Sequence, residues 1–384
     1  MKKFILLSAM FIVFTMASFG NTPTSPDVNI VNSEQNRDTK IQVAILLDTS
    51  SSMDGLIEQA KSRLWNIVNT LTTLKYNGRT PKIEIALYEY GNDNLRRADG
   101  YIRQVTPLTT DLDLISAKLF SLTTYGGDEY CGTVISKAVE MLNWGSNSSD
   151  MKLIYIAGNE PFNQGSVSYK TAISRALAKG IYVNTIHCGR TAEGIEGMWR
   201  DGAERGKGKF FNIDHNARVR YYDTPYDDRI SACNDRLNRT YISYGAKGFA
   251  HAENQRQQDV NAMSMSKSNF AERAVSKSKQ VYNNSAWDLV DKVKEDSNAL
   301  NEIEQSELPQ ELQNKSKAEI QKLVTEKETE RAAIQKEIAE LAKKRQEYID
   351  EQAKKDNTSG DDLGKAINES ILAFANVKGY TINK

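Results

Sequence analysis

From Ile41 onward, apolar runs of strand length alternate with segments whose apolar residues recur at helical spacing. The run from Ile41 to Leu47 is almost uninterrupted and ends at Asp48, a pattern typical of a strand buried on both faces of a parallel sheet. Further strand-like runs cover residues 82–90, 101–108, 151–157, 181–186 and 210–213. Because helical patterns separate these runs, the sequence predicts an α/β fold with a doubly wound, mostly parallel sheet.

Beyond Asp214 the sequence is polar and rich in Asn, Ser and Lys, and its patterns predict an α-helical C-terminal region. Residues 317–355 contain no Gly or Pro, which favours one long helix. Apolar residues of this helix follow a 4,3 spacing, but Lys327, Arg331 and Arg345 occupy intervening positions of the seam. Two arrangements fit this pattern: a helical hairpin with an earlier segment, or a homodimeric coiled coil through which the chain self-associates.

The first residues have the features of a secretory signal peptide. Met1 is followed by two lysines, residues 4–14 are apolar apart from Ser8, and residues 17–20 are small enough for cleavage, Phe19 excepted. The apolar run is shorter than the roughly 20 residues that cross a bilayer. We therefore expect a bacterial envelope protein, exported to the periplasm, without an integral membrane span after the signal is removed.

The charge balance and the cysteines limit the function classes. Lys plus Arg and Asp plus Glu both number 50, so no basic excess indicates a nucleic-acid partner. Cys131, Cys188 and Cys233 lie too far apart for a zinc pattern. In an exported protein they would form one disulfide plus a buried thiol, or three buried thiols.

The same patterns divide the chain into six segments. They are a signal peptide (1–20), a linker (21–38), the α/β domain (39–214), a polar, mainly helical extension (215–300), a long helix or coiled coil (301–358) and a C-terminal tail (359–384).

The loop after the first strand carries the ligand types that a hard cation prefers. Asp48, Ser50 and Ser52 lie in the sequence Asp-Thr-Ser-Ser-Ser, and Mg²⁺ is bound in proteins through oxygen atoms. One carboxylate and two hydroxyls supply oxygens with little negative charge, so a bound cation keeps its attraction for an incoming carboxylate. In doubly wound sheets, ligands bind beyond the carboxyl ends of the strands, where this loop is predicted to lie.

This loop matches the Asp-x-Ser-x-Ser pattern of the metal-ion-dependent adhesion site of von Willebrand factor A domains. Over residues 39–214 the chain resembles that family, with a second glycine-rich loop at 125–132 and a closing segment around Trp199 and Phe210. The resemblance implies a divalent cation, with Mg²⁺ expected and Mn²⁺ or Ca²⁺ as alternatives. It also implies a protein partner that reaches the cation through an acidic residue.

Two of the three loops depart from the family pattern. Glu129, next to Asp128, stands where the family usually has a Thr, and Gly158 stands where it usually has an Asp, with Glu160 close by. The predicted ligands are therefore Asp48, Ser50, Ser52 and Glu129, with Asp128 and Glu160 as secondary candidates. An added carboxylate should tighten cation binding and weaken the pull on an acidic partner.

The resulting hypothesis is an exported, non-enzymatic module for metal-dependent protein–protein interaction in the cell envelope. One alternative is a scaffold that binds no metal and uses the helical tail for assembly. The other is a metal-dependent hydrolase built on Asp128 and Glu129. The chain has no Gly-x-Ser-x-Gly, His-Glu-x-x-His or phosphate-loop motif, and His187 at a strand end is expected to be structural.

Overall fold

A computed structural model of the protein describes residues 39–356 and 363–382. The predicted signal peptide (1–20), the predicted linker (21–38) and the predicted boundary between the long helix and the C-terminal tail at residues 358 and 359 lie outside the described residues.

Eight strands and thirteen α-helices follow along the described chain. The strands are β1 (Lys40–Asp48), β2 (Leu74–Lys75), β3 (Lys82–Tyr90), β4 (Ile102–Thr109), β5 (Met151–Gly158), β6 (Ile181–Cys188), β7 (Lys207–Ile213) and β8 (Thr381–Ile382). The helices of the first half are α1 (Asp54–Thr72), α2 (Leu112–Phe120), α3 (Cys131–Met141), α4 (Tyr169–Ala178), α5 (Thr191–Glu196) and α6 (Trp199–Arg205). Those of the second half are α7 (Asp227–Asn238), α8 (Gly248–Met265), α9 (Lys267–Lys277), α10 (Leu289–Glu295), α11 (Ala299–Glu302), α12 (Lys317–Asp356) and α13 (Leu363–Val377).

Six strands form one sheet in the order β4-β3-β1-β5-β6-β7. Its strands pair in parallel except for β4, which runs antiparallel to β3. Asp48 pairs with Tyr90 of β3, and Leu47 pairs with Ala157 of β5. The predicted doubly wound α/β fold is confirmed, and the carboxyl ends of β1, β3 and β5 lie side by side.

Both faces of the central strand β1 are buried, which explains its uninterrupted apolar sequence. Val43, Ile45 and Leu47 face a core that includes α1, α2 and α13. Ala44 and Leu46 face a second core that includes α3 and α4. Successive side chains of a strand point to opposite faces, so helices on both sides of the sheet require apolar residues at every position.

The long helix α12 packs against earlier helices of the same chain. Ile334, Ile338 and Leu341 share a buried cluster with residues of α7 and α9. The charged seam residues are accommodated by ion pairs: Arg331 lies 2.7 Å from Asp288, Arg345 lies 2.8 Å from Asp227, and Lys327 pairs with Glu330. The seam is therefore occupied within the chain, as in the hairpin arrangement.

The C-terminal helix α13 packs on the sheet and on α1. Ile367, Ile371 and Phe374 belong to the same buried core as β1 and α1. The Ser370 hydroxyl donates to the Asn184 side chain of β6 over 2.8 Å, and β8 pairs with β2. A segment from the far end of the chain thus completes one face of the sheet.

The three cysteines are buried free thiols, which is one of the two expected arrangements. Among the helices of residues 39–356 and 363–382, none combines the length and apolar character needed to span a bilayer.

Candidate functional site

The loop that carries Asp48, Ser50 and Ser52 begins at the end of β1 and is held there by hydrogen bonds. The amide of Ser50 donates to Asp48 Oδ1 over 2.8 Å, and the amide of Thr49 donates to the carbonyl of Tyr90 over 2.8 Å. These bonds turn the chain sharply at the strand end and hold the Asp48 carboxylate, which is completely buried. The loop then enters α1 with Ser51 and Ser52 exposed.

The glycine-rich loop brings Glu129 to the same place. Its backbone is attached to the neighbouring loops, because the amide of Tyr125 donates to the carbonyl of Thr49 over 3.0 Å and the amide of Asp93 to the carbonyl of Gly126 over 2.6 Å. Glu129 is only 3% exposed, and its carboxyl lies close enough to Asp48 and Ser50 that both side chains affect its pKa. The structure therefore places a carboxylate beside Asp48 at the position that the sequence suggested.

Two hydroxyls complete the group, Ser50 from a buried position and Ser52 from the surface. Ser50 Oγ lies 3.2 Å from Ser52 Oγ, and the Asn159 side chain donates to Ser52 Oγ over 3.2 Å. The four predicted ligands Asp48, Ser50, Ser52 and Glu129 are thus brought together by two loops, and Asn159 of a third loop contacts Ser52.

One oxygen of each buried carboxylate has no hydrogen-bond partner. Asp48 Oδ2 and Glu129 Oε2 are both inaccessible to solvent and unsatisfied within the described residues. Burial raises the pKa of both groups, and the charge of Asp48 raises the pKa of Glu129 further. Since two adjacent buried carboxylates cannot both stay ionised without compensation, the pair needs either a shared proton or a cation.

These features fit a divalent cation. Unsatisfied carboxylate oxygens beside two hydroxyls are the donor set that hard cations use. Among the described residues, no group of three or more His, Cys, Asp or Glu side chains is placed to hold a metal ion. A cation here would therefore depend on the serine hydroxyls as well as on Asp48 and Glu129.

The two secondary candidates lie at the surface of the site. Asp128 is exposed, and its carboxylate accepts a 2.9 Å hydrogen bond from Tyr130. Glu160 is exposed and accepts from Gln164 over 3.3 Å, while its charge contributes to the raised pKa of Asp48 and Glu129. Glu160 is therefore close enough to act on the charges of the site.

The structure adds three residues that the sequence did not single out. Gly91, with φ of 77°, packs so closely that a Cβ there would lie 2.8 Å from Asp48 Oδ1 and 2.8 Å from Glu129 Cγ. Tyr90 is buried beside Gly158, and Asn159 holds Ser52. Of these, only Gly91 gave a signal in the sequence, as a glycine directly after a strand.

His187 has the structural role expected of it. Its ring nitrogens lie 2.9 Å from Asn212 Oδ1 and 3.2 Å from the carbonyl of Asn159. His187 therefore supports the loop that follows β5 and begins at Asn159; we call this the third loop.

Residues 42–216 match the family profile of the von Willebrand factor type A domain. A comparison with curated proteins gave no match. Among solved structures, BatB from Bacteroides thetaiotaomicron is similar at 20% identity and a TM-score of 0.35, covering 45% of this chain and 90% of that one. The VWA domain of SpRpn10 is similar at 16% identity and a TM-score of 0.36, covering 46% and 90%.

A third similar structure is proximal thread matrix protein 1 from the mussel byssus, at 16% identity and a TM-score of 0.34. The match covers 45% of this chain but only 41% of the mussel protein, less than half of its length. With the family match and the observed sheet together, residues 42–216 of this chain are a von Willebrand factor type A domain.

Proposed function

We propose that this A domain is a binding module that holds a divalent cation and uses it to bind a protein partner. The observation that carries the proposal is the pair of unsatisfied buried oxygens, Asp48 Oδ2 and Glu129 Oε2, beside the Ser50 and Ser52 hydroxyls. A buried polar atom without a partner is costly, so a site that keeps two of them is built for something that binds there.

Each residue has a distinct part in this module. Asp48 and Glu129 supply the negative charge from buried positions, while Ser50, also buried, and Ser52, at the surface, supply neutral oxygens. Mg²⁺ is the expected cation, with Mn²⁺ and Ca²⁺ as alternatives, and when bound it supplies a positive centre for an oxygen of the partner. Ser51 and Ser52 are exposed, so the approach to this centre is open.

Glu129 changes how strongly the site can attract an acidic partner. With Asp48 it places two carboxylates on a cation of charge two, whereas the family usually has a hydroxyl at this position. We propose that the cation is held tightly and that a bridging partner carboxylate is attracted only weakly. The partner surface around the metal therefore contributes more to binding than the bridge itself.

Binding is favoured over the two alternatives by the positions of the residues concerned. A hydrolase built on Asp128 and Glu129 would need both carboxylates at one reacting centre, yet Asp128 is exposed and bound by Tyr130. A scaffold that assembles through the helical tail would need a free seam on α12, yet Ile334 and Ile338 of that seam are fully buried. The envelope location remains part of the proposal and depends on the signal peptide predicted for residues 1–20.

Isothermal titration calorimetry tests the metal site on the chain without its predicted signal peptide. Mg²⁺, Mn²⁺ and Ca²⁺ are titrated in turn, and Asp48→Asn should abolish the binding heat. Asp235→Asn is the matched control, because it removes an exposed carboxylate of α7, outside the candidate site, and should leave the heat in place. Equal binding by Asp48→Asn and the unchanged chain would refute the proposed site.

The partner is tested by a pull-down from envelope extract with and without a chelator. A partner that is retained with Mg²⁺, lost with EDTA and lost with Asp48→Asn supports the proposal. Retention that does not respond to either change would assign the interaction to another surface.

A further inference from the structure

Four exposed carboxylates surround the mouth of the metal site. Asp54 accepts a hydrogen bond from Thr124, which ties it to the glycine-rich loop, and Asp93 lies against Gly126 near Ser51. Asp128 belongs to the glycine-rich loop itself, and Glu160 follows Asn159, which holds Ser52. We call Asp54, Asp93, Asp128 and Glu160 the acidic rim.

Within the described residues, the negative charge of the acidic rim is not balanced by ion pairs. None of the four carboxylates forms an ion pair there with a Lys or Arg side chain. The hydrogen bond to Asp128 raises the pKa of Tyr130, and the charge of Arg97 opposes that rise. Arg96 pairs with Asp99. Four carboxylates without an ion-pair partner among the described residues form a negative surface.

A bound cation does not reverse this sign. Asp48 and Glu129 are nearly completely buried, at 0% and 3% exposure, and each has an unsatisfied oxygen at the floor of the site. Their two charges balance a divalent cation, so the acidic rim determines the charge that an approaching molecule meets. The unsatisfied oxygens are an indication, independent of the rim, that a positively charged species belongs here.

Apolar side chains lie on both sides of the acidic rim. Tyr125 of the glycine-rich loop is 56% exposed, and Ile195 and Met198 are each 40% exposed. The turn that carries Ile195 and Met198 packs on the third loop, because the amide of Phe162 donates to the carbonyl of Gly197 over 2.8 Å. Exposed aromatic and apolar side chains beside charges are typical of binding surfaces.

We propose that the mouth of the metal site binds a basic protein segment, with Lys or Arg side chains on the acidic rim and an apolar side chain against Tyr125 or Met198. This inference rests on the proposed function and defines the partner of the same site. It differs from the expectation of an acidic partner, which rests on the resemblance to A domains, allows for Glu129 and does not consider the rim. Opposite charges at an interface raise the rate of association and exclude partners of like charge.

Three fluorescent decapeptides with the same apolar residues and either four Lys, four Glu or four Ser residues test the charge preference. Fluorescence anisotropy with the Mg²⁺-loaded chain should give a Kd at least about tenfold lower for the Lys peptide than for the Glu peptide, and the difference should shrink in 0.5 M salt. Equal affinities, tighter binding of the Glu peptide, or no detectable binding of the Lys peptide would overturn the inference.

A charge-matched pair of variants locates the binding surface. Asp54→Asn/Asp93→Asn removes the two rim charges that are not candidate metal ligands and should weaken Lys-peptide binding about threefold or more. Glu340→Gln/Glu347→Gln removes two charges from exposed positions of α12 and should leave it unchanged. Equal weakening in both variants would show that net charge, and not the rim, governs binding.

Calorimetric titration of Mn²⁺ into the rim variant separates this inference from the proposed function. Both are upheld if the rim variant binds Mn²⁺ and loses the Lys peptide. If the unchanged chain binds Mn²⁺ but shows no preference for the Lys peptide, the inference fails alone. If the unchanged chain binds no Mn²⁺, the proposed metal site fails.

Discussion

The hydroxyl oxygen of Tyr90 lies 2.5 Å from the point that a Cβ atom on Gly158 would occupy. The same hydroxyl donates a 2.9 Å hydrogen bond to the carbonyl of Ala157, and Asp48 Oδ2 lies 3.0 Å from that point on Gly158. An aspartate at position 158, as the A-domain family usually has, would therefore have no space in this chain. The position of the Tyr90 hydroxyl therefore requires a glycine at 158, and the two residues together shape the loop that follows β5.

This pairing predicts a non-additive double-mutant cycle. Gly158→Ala should destabilise the protein by about 1–3 kcal/mol, because its methyl group must displace Tyr90 or Asp48. Tyr90→Phe should cost about 0.5–1.5 kcal/mol through the lost hydrogen bond. The double variant should lose less than the sum, since Phe leaves room for the methyl group, and urea unfolding measures all three. Additivity within about 0.5 kcal/mol would contradict the close contact.

Glu129→Gln should raise the stability of the metal-free protein and weaken cation binding. The amide keeps the shape of Glu129, removes one of two adjacent buried acids and can donate to Asp48. In EDTA we expect the melting temperature to rise by about 2–4 °C, the equivalent of roughly 1 kcal/mol. In Mg²⁺ the variant should lose the stabilisation that a bound ligand gives the folded state.

Differential scanning calorimetry in EDTA and in Mg²⁺ measures both effects. The control is Glu347→Gln on α12, which should melt like the unchanged chain in both conditions because its carboxylate is exposed and lies outside the candidate site. A lower melting temperature of Glu129→Gln in EDTA, or an unchanged response to Mg²⁺, would count against the buried acid pair.

The fold and the first loop could be predicted from the sequence because their causes are local. Buried parallel strands require apolar residues at every position, so the run from Ile41 to Leu47 was sufficient to place β1. The meeting of Asp48 with Glu129 was suggested by the resemblance to A domains and not by strand order, because the loop that carries Glu129 lies between α2 and α3. The serines between Asp48 and α1 needed no information from elsewhere in the chain.

The remaining features depend on partners far away in the sequence. Arg331 and Arg345 read as interruptions of a heptad seam, but they are buried in ion pairs with Asp288 and Asp227. Nothing near either arginine indicates those partners. Likewise, the role of Tyr90 depends on the register of β3 beside β5, and an aromatic residue in a strand looks the same whether or not its hydroxyl is used.

A buried charge network between α2, α8 and α9 predicts loss of stability in acid. Asp259 accepts hydrogen bonds from Arg273 over 2.6 Å and from Lys277 over 3.0 Å, and Arg273 also pairs with Asp113. Burial alone would raise the pKa of Asp259, but the charges of Lys277 and Arg273 outweigh it and hold that pKa well below its ordinary value.

Because the folded state lowers this pKa, the stabilisation is present above the unfolded value near 4 and is lost as the pH falls below it. Urea unfolding between pH 5 and pH 2.5 should show this decline. Asp259→Asn should be less stable by about 3–5 kcal/mol at pH 7, since it leaves Lys277 buried without its paired carboxylate and Arg273 with Asp113 alone, and its acid decline should be shallower. Asp228→Asn, whose carboxylate is exposed, serves as the control, and an acid decline of equal slope in Asp259→Asn would exclude the network as its source.

The C-terminal helix α13 predicts that the A domain depends on residues far outside the matched segment. Ile371 is completely buried in the core shared with β1 and α1, while Val377 on the same helix is 75% exposed. Ile371→Ala should lower the free energy of unfolding by about 2–5 kcal/mol, whereas Val377→Ala should change it by less than about 0.5 kcal/mol.

Unfolding should be followed by the fluorescence of Trp65 and Trp199, which are fully buried beside the sheet, and not by helix content alone. If Ile371→Ala shifts this tryptophan transition, α13 stabilises the sheet that carries Asp48 and Glu129. An unshifted transition would mean that the sheet unfolds independently of α13. In that case the C-terminal helix could be removed without affecting the metal site.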